Sequence, residues 1–164
     1  MKLNKKAQVY VFAAIVLVSV VIASISAVKN FTSYQDAEVI ENFKTELYYV
    51  INNALFNNLS VVHQIDNFTK SFKAYALTKN YDIDIFLLYY NSTLLYVVNG
   101  FDDNVTLKIP GKTLYLMQGS YDLGNVNNIT VVIGNDVYKF NLGFNEYKGI
   151  IKYVKGNNVF VHKI

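Results

Sequence analysis

A run of twenty residues without a formal charge, Val9 to Val28, constrains this chain more than any other feature of its sequence. Its only polar members are one tyrosine and three serines. As an α-helix such a run extends about 30 Å, which matches the hydrocarbon thickness of a bilayer. The sequence therefore predicts a transmembrane helix, which we place over residues 8–29.

The charges on either side of this run predict its orientation. Lys2, Lys5 and Lys6 precede it, whereas acidic residues follow it. The positive-inside rule then places the N-terminus in the cytoplasm and residues 30–164 outside, as one extracytoplasmic domain of a single-pass cell-membrane protein in contact with lipid. Two alternatives remain open: a secretory signal peptide cut near Ser24-Ile25-Ser26, and a buried helix of a soluble protein.

The residues just ahead of the apolar run carry a family resemblance. Lys6-Ala7-Gln8 followed by an uninterrupted apolar helix resembles the class III signal peptides of archaeal type IV pilin-like proteins, and the start also resembles a group of archaeal membrane proteins. The resemblance implies that a prepilin peptidase cuts between Ala7 and Gln8, removing a leader of residues 1–7. It also implies self-association, or association with other pilin-like subunits, through the N-terminal helix. The glutamate that many pilins carry at the fifth mature position is Phe12 here.

Charge and composition exclude several classes of function. The net charge is +3, and the three lysines of the leader account for it. Because nucleic-acid binding needs a clustered basic surface, we expect no nucleic-acid partner. There is no cysteine, so disulfides and cysteine-ligated metals are excluded. No phosphate loop, dinucleotide-binding glycine signature or nucleophile elbow is present, and we therefore expect no cofactor, no catalytic residues and no enzymatic activity.

Apolar residues at three- and four-residue spacing predict two amphipathic helices within residues 30–80. The first extends from Thr32 to about Asn57, and we expect it to continue the transmembrane helix as a stalk. The second begins after Ser60, a possible N-cap, and ends near Lys79-Asn80.

Residues 81–164 change to short β-branched and aromatic runs, which predict strands. Gly134-Asn135-Asp136 and Gly156-Asn157-Asn158 are typical hairpin turns. We therefore predict an α+β fold whose C-terminal half is one antiparallel β-sheet, arranged as a meander with both helices on one face. The eight predicted strands are Ile83–Tyr90, Thr93–Val98, Val105–Ile109, Thr113–Gln118, Ile129–Ile133, Val137–Leu142, Ile150–Val154 and Val159–His162.

Glycosylation is the strongest chemical signal in the sequence. Six Asn-x-Ser/Thr sequons occur where composition predicts about two, and all follow the apolar run. This excess predicts N-glycosylation of the extracytoplasmic domain. The sequon asparagines are Asn30, Asn58, Asn67, Asn91, Asn104 and Asn128.

Possible metal ligands are present but do not form a recognisable motif. His63 and His162 are far apart in sequence and lack the spacing of a helical histidine pair. The twelve-residue calcium-loop pattern is missing around the acidic residues that could supply oxygen ligands. We therefore predict no metal site at Asp82, Asp84, Asp102, Asp103 and Asn104.

These observations predict a membrane-anchored, extracytoplasmic, pilin-like surface protein with a structural or adhesive role. A signal-anchored ligand-binding or sensor module that forms no filaments is the alternative, and a secreted hydrolase is a weaker one. A deep polar pocket with converging Asp and His side chains would favour the alternatives.

Overall fold

A computed structural model describes residues 16–21, 38–102, 104–155 and 158–164. The chain divides into two compact units, Met1–Phe43 and Lys44–Ile164. In the first unit, residues 16–21 and 38–43 are helical. Helix α1 covers residues 38–56 and extends into the second unit, to which all elements after it belong. They are α2 (Val61–Thr78), β1 (Asp82–Tyr90), β2 (Leu95–Asn99), β3 (Val105–Ile109), β4 (Lys112–Leu116), β5 (Gly119–Asp122), β6 (Asn128–Ile133), β7 (Asp136–Asn141), β8 (Glu146–Lys155) and β9 (Asn158–Lys163).

The predicted fold class is contradicted in its transmembrane helix. Within the described ranges, no helix is both long enough and apolar enough to cross a membrane. Helix α2, for example, is long enough but carries Asp66, Lys70 and Lys73 within its 18 residues. Of the predicted membrane helix, residues 8–29, only 16–21 are described, and the remainder lies outside the described residues.

The two amphipathic helices are confirmed where the structure describes them. Helix α2 begins as predicted at Ser60, whose side chain accepts a hydrogen bond from the backbone N–H of His63. It ends at Lys79, and Asn80 then adopts a positive φ of 61°. Each helix buries one stripe of side chains, formed by Leu47, Ile51 and Ala54 in α1 and by Ile65, Thr69, Phe72 and Ala76 in α2.

The strands form two antiparallel sheets, so the prediction of a single meander is wrong. One sheet has five strands in the order β5-β2-β1-β8-β9, and the other has four in the order β4-β3-β6-β7. The reason lies in β1, where every residue from Ile85 to Tyr90 is buried. Since successive side chains of a strand point to opposite faces, such a strand needs a packing layer on each side.

Each face of the five-stranded sheet packs against a different layer. The face with Phe86, Leu88 and Tyr90 shares one hydrophobic core with residues of the four-stranded sheet, such as Leu107 and Val131. Helix α2 packs against β1, β2 and β5. The second unit is therefore built as helix, sheet and sheet, with β1 in the middle layer.

All eight predicted strands are present, Val105–Ile109 with the predicted bounds and the other seven with shifted ends, and a ninth was missed. The missed strand is β5, which pairs with β2 at an edge of the five-stranded sheet. The first predicted hairpin is confirmed: Ile133 pairs with Asp136, and Gly134 between them has a φ of 58°. In the second, Lys155 pairs with Asn158. Its turn residues 156–157 lie outside the described residues.

One buried side chain links the two sheets through hydrogen bonds. Asn99, at the end of β2, is 1% exposed. Its Nδ2 donates to the carbonyl oxygens of Leu116 and Met117, each at 3.1 Å, and its Oδ1 accepts from the backbone N–H of Phe101 at 3.1 Å. These bonds use the acceptor and both donors of the carboxamide.

Candidate functional site

A cleft of about 670 Å³ lies on the helix-covered face of the five-stranded sheet, beside the beginning of α2. Its floor comes from β1, β2 and β5, and its walls come from the end of α1 and the first turns of α2. Leucine and valine side chains line part of the wall. The polar lining is supplied by Ser60, His63, Asp66, Asn91, Ser120 and Asp122 together with two tyrosines.

The two tyrosines belong to a row of side chains that crosses three strands. Tyr89 of β1 pairs with Tyr96 of β2, and Tyr96 pairs with Asp122 of β5. Directly paired residues point to the same face of a sheet, so the three side chains stand next to one another on the cleft floor. The rings of Tyr89 and Tyr96 are stacked, with centroids 6.1 Å apart and planes 17° apart.

The hydroxyl group of Tyr89 is the least satisfied polar group of this floor. Tyr89 is 2% exposed, and its buried hydroxyl has no hydrogen-bond partner among the described groups. Burial raises the pKa of Tyr89, and neighbouring Tyr96 raises it further, so the hydroxyl keeps its proton at neutral pH. A buried hydroxyl without a partner destabilises the fold. Such a group on a cleft floor indicates a site for a ligand atom.

The walls give the cleft an acidic character. Asp66 and Asp122 line it, whereas none of the described lysines does. Asp66 forms an ion pair with Lys70, whose Nζ lies 2.6 Å from Oδ2, but the side chain of Lys70 is 71% exposed. The imidazole Nε2 of His63 lies 3.2 Å from Nδ2 of Asn67. This lining favours a neutral or cationic ligand that offers hydrogen-bond donors.

Asn91 stands at the rim of the cleft in a tight turn between β1 and β2. Its Oδ1 accepts three hydrogen bonds, from the backbone N–H of Thr93 at 3.1 Å, the hydroxyl of Thr93 at 2.9 Å and the backbone N–H of Leu94 at 2.8 Å. The Tyr90 hydroxyl contacts the carbonyl oxygen of Ser92 at 2.9 Å, which holds the turn against the sheet. The orientation of the Asn91 carboxamide is therefore fixed.

The predicted glycosylation residues do not converge, and most are at the surface. Asn91 is partly buried at the cleft, whereas Asn58, Asn67, Asn104 and Asn128 are exposed on other elements and loops. Asn58 has a φ of 53° in the connection between the helices. Asn30 and the predicted cleavage residues Ala7 and Gln8 lie outside the described residues.

A second polar cluster lies near the start of β1 and involves the predicted acidic residues. Nζ of Lys73 donates to Oδ1 of Asp84 at 3.2 Å and to the carbonyl oxygen of Gly100 at 2.8 Å. Lys152 and Asp102 lie further out, with Lys152 Nζ 4.0 Å from Asp84 Oδ2 and Lys73 Nζ 3.7 Å from Asp102 Oδ1. Burial raises the pKa of Asp84, and Lys73 opposes that shift in part. This cluster is a network of ion pairs.

The histidines and acids are arranged without a common centre in the described ranges. There, no three His, Asp or Glu side chains come close enough together to hold a metal ion. His63 lines the cleft, whereas the His162 ring is stacked on Tyr153 with centroids 5.7 Å apart. Asp82 and Asn104 are exposed, and Asp103 lies outside the described residues.

No family model, curated protein or solved structure matches this chain. The most informative residues of the cleft, Tyr89, Tyr96 and Asp122, were not predicted from the sequence, because the proximity of the two tyrosines depends on the register of β1 with β2 and that of Asp122 depends on the missed strand β5. The spacing of His63 and Asp66, three residues apart at the start of α2, was the one signal that could have placed two polar side chains together.

Proposed function

We propose that this chain is an extracytoplasmic, pilin-like surface protein with a structural or adhesive role, and that it carries N-linked glycans. The observation that carries the proposal is the combination of six sequons with their surface placement. Four of the five described sequon asparagines are exposed, and the fifth lies at the rim of a cleft. N-glycosylation requires accessible carboxamides and an extracytoplasmic location.

The N-terminal sequence supplies the rest of the proposal. Prepilin peptidase is the proposed processing enzyme, and it would cut between Ala7 and Gln8. The apolar sequence Val9 to Val28 is the proposed contact with lipid or with other pilin-like subunits, since apolar surface of that extent is unfavourable in water.

The test uses the native protein extracted from its own cells. Mass spectrometry of its peptides should find Gln8 as the first residue and a glycan on at least one sequon. Protease added to intact cells should release peptides from residues 44–164. Six bare asparagines would contradict the proposed glycosylation, and complete protection of those peptides in intact cells would contradict the extracytoplasmic location.

A second candidate function is favoured by the cleft, namely a ligand-binding module that forms no filaments. Its support is the buried, unpartnered hydroxyl of Tyr89 in a polar cleft of ordinary ligand-site size. Electron microscopy of cell-surface preparations separates the two candidates, because filaments labelled by an antibody to this chain support the first. The second predicts an unassembled protein whose thermal midpoint rises with small polyhydroxy compounds. That rise should disappear in Tyr96→Ala.

A further inference from the structure

We propose that the cleft binds the first sugar of a glycan linked to Asn91, so that the protein holds part of its own glycan against its surface. This inference rests on the N-glycosylation in the proposed function. It joins two independent observations, the fixed carboxamide of Asn91 at the cleft rim and the unpartnered Tyr89 hydroxyl on the cleft floor.

The Asn91 carboxamide is oriented for attachment of a sugar. Its oxygen is occupied by three donors of its own turn, one of them the sequon hydroxyl of Thr93. Its nitrogen makes no hydrogen bond in the described structure. Attachment at Nδ2 therefore breaks no existing contact.

The other described sequons lack this combination. The hydroxyl of Ser60 in the Asn58 sequon caps helix α2 instead. In the Asn67 sequon, Thr69 is 2% exposed and its hydroxyl has no partner. Nδ2 of Asn128 lies 3.3 Å from Oδ1 of Asn127. Among the five described sequons, Asn91 alone has its carboxamide oxygen bonded by its own sequon hydroxyl.

The attachment itself is a glycosyl transfer from a lipid-linked sugar phosphate, catalysed by a membrane N-glycosyltransferase. A bond forms between Nδ2 of Asn91 and the anomeric carbon of the sugar, and the bond from that carbon to the phosphate oxygen breaks. The phosphate leaves with the electron pair, and the carboxamide nitrogen loses one proton. Once the chain has folded, the turn holds the linked carboxamide in one orientation.

The cleft has the chemistry to hold the attached ring. Tyr96 presents part of an aromatic surface, against which the apolar face of a sugar packs. Asp122 and Ser120 offer acceptors for sugar hydroxyls, and the Tyr89 hydroxyl gains the partner that the protein does not give it. The acidic lining disfavours phosphate or carboxylate ligands and is compatible with a neutral sugar.

Tethering makes a weak contact sufficient. A sugar linked to the rim is present at the cleft at a high effective concentration, on the order of millimolar for a short flexible connection. A free sugar of the same structure would have to bind without this high effective concentration. The test must therefore distinguish a tethered sugar from a free one.

The experiment compares full-length proteins produced in the native host: wild type, Asn91→Gln and Asn104→Gln. Peptide mass spectrometry establishes which sequons are occupied and measures the rate of nitration of Tyr96. Tyr115, which is 76% exposed on β4, serves as the internal reference. We expect Tyr96 to react several-fold faster in Asn91→Gln than in wild type, with Asn104→Gln behaving as wild type and Tyr115 unchanged throughout. Thr93→Ala also removes the sequon but keeps both backbone hydrogen bonds to Asn91 Oδ1, so it should match Asn91→Gln if loss of the glycan, and not a disturbed turn, exposes Tyr96.

Each contrary result has a definite meaning. Equal Tyr96 rates in wild type and both sequon variants, with Asn91 glycosylated in wild type, overturn the inference. Equal rates overturn it if Tyr96 reacts rapidly in all three proteins, and also if a sugar from elsewhere protects Tyr96 in all three. A bare Asn91 with glycans on other sequons also overturns it but leaves the proposed function standing. Six bare asparagines contradict both.

Discussion

Gly149 on β8 and Phe86 on β1 come so close that a methyl group on Gly149 would overlap the carbonyl oxygen of Phe86. A Leu87 side-chain carbon lies 2.8 Å from the same position. The backbone of Gly149 has no positive φ that would itself require glycine. The constraint is therefore one of space between two central strands of the five-stranded sheet.

Gly149→Ala should destabilise the protein, because neither the Phe86 carbonyl nor the paired strands can move without disturbing the core. Overpacking of this kind costs about 1–3 kcal/mol. Urea denaturation of the two proteins measures the loss. Gly143→Ala is the matched control, since its added carbon meets only the flexible carboxylate of Glu146, at 3.2 Å, and equal losses in the two variants would contradict the argument.

Lys73→Met should leave Asp84 partly buried without its nearest cation. Both side chains are only about a quarter exposed, so the loss should reach about 1–3 kcal/mol at neutral pH. The folded-state pKa of Asp84 is already raised by burial. The stability that comes from protonating this carboxyl is therefore present below its unfolded-state pKa and is lost as the pH rises through its folded-state pKa. Removing Lys73 raises the folded-state pKa of Asp84 further, so the protein loses more stability as the pH rises.

Urea denaturation between pH 3 and pH 7 checks this prediction. The difference between wild type and Lys73→Met should be larger at pH 7 than at pH 3. Lys70→Met is the control on the same helix, because Lys70 also pairs with an aspartate but is exposed, and its loss should stay below about 0.5 kcal/mol at every pH. A pH-independent loss in Lys73→Met would show that the charge of Asp84 is not the cause.

Tyr89→Phe and Tyr90→Phe remove the same atom from adjacent residues and should have opposite effects. The Tyr89 hydroxyl is buried without a partner, so its removal should leave the stability unchanged or raise it by about 1 kcal/mol. The Tyr90 hydroxyl contacts Ser92 and Asn125, so its removal should cost about 0.5–1.5 kcal/mol. Thermal denaturation of protein produced without glycans makes the comparison. A Tyr89→Phe loss as large as that of Tyr90→Phe would mean that the Tyr89 hydroxyl has a partner.

Asn99→Ala should weaken the connection between the two sheets. The substitution removes three hydrogen bonds and leaves buried groups near Leu116 and Phe101 unpaired, at a cost on the order of 2–4 kcal/mol. Guanidinium denaturation provides the measurement. Asn141→Ala is a suitable control, since Asn141 is exposed at the end of β7, and its loss should be much smaller.

The elements of this fold were largely readable from the sequence, but their arrangement was not. The alternation and turn residues placed the eight predicted strands, because those signals are local. Strand β5, Gly-Ser-Tyr-Asp, was missed because it is short, polar and rich in turn formers, and only its pairing with β2 makes it a strand. The continuous apolar run from Ile85 to Tyr90 was the overlooked sign of a second sheet, since a strand buried on both faces needs two partners.

The arrangement of the candidate site was less predictable from the sequence than the arrangement of the strands. Sequence patterns identified Asn91 as a sequon, but its place at the cleft depends on how β1, β2, β5 and α2 pack together. The row from Tyr89 through Tyr96 to Asp122 is set by strand register, which no local pattern in this chain specifies. The unpartnered hydroxyl of Tyr89 depends on burial and could be recognised only in three dimensions.

The pairing of β1 with β8 has a consequence for the order of events after synthesis. Ile85 lies opposite Ile151, so the middle of the larger sheet joins segments that the ribosome makes far apart in time. Closing the long loop between these strands costs entropy before their contact stabilises the chain. Folding is therefore slow, in the millisecond-to-second range typical of such topologies. The five-stranded sheet therefore cannot be completed until β8 (Glu146–Lys155) has emerged, and enzymes that modify extended polypeptides have that interval in which to act.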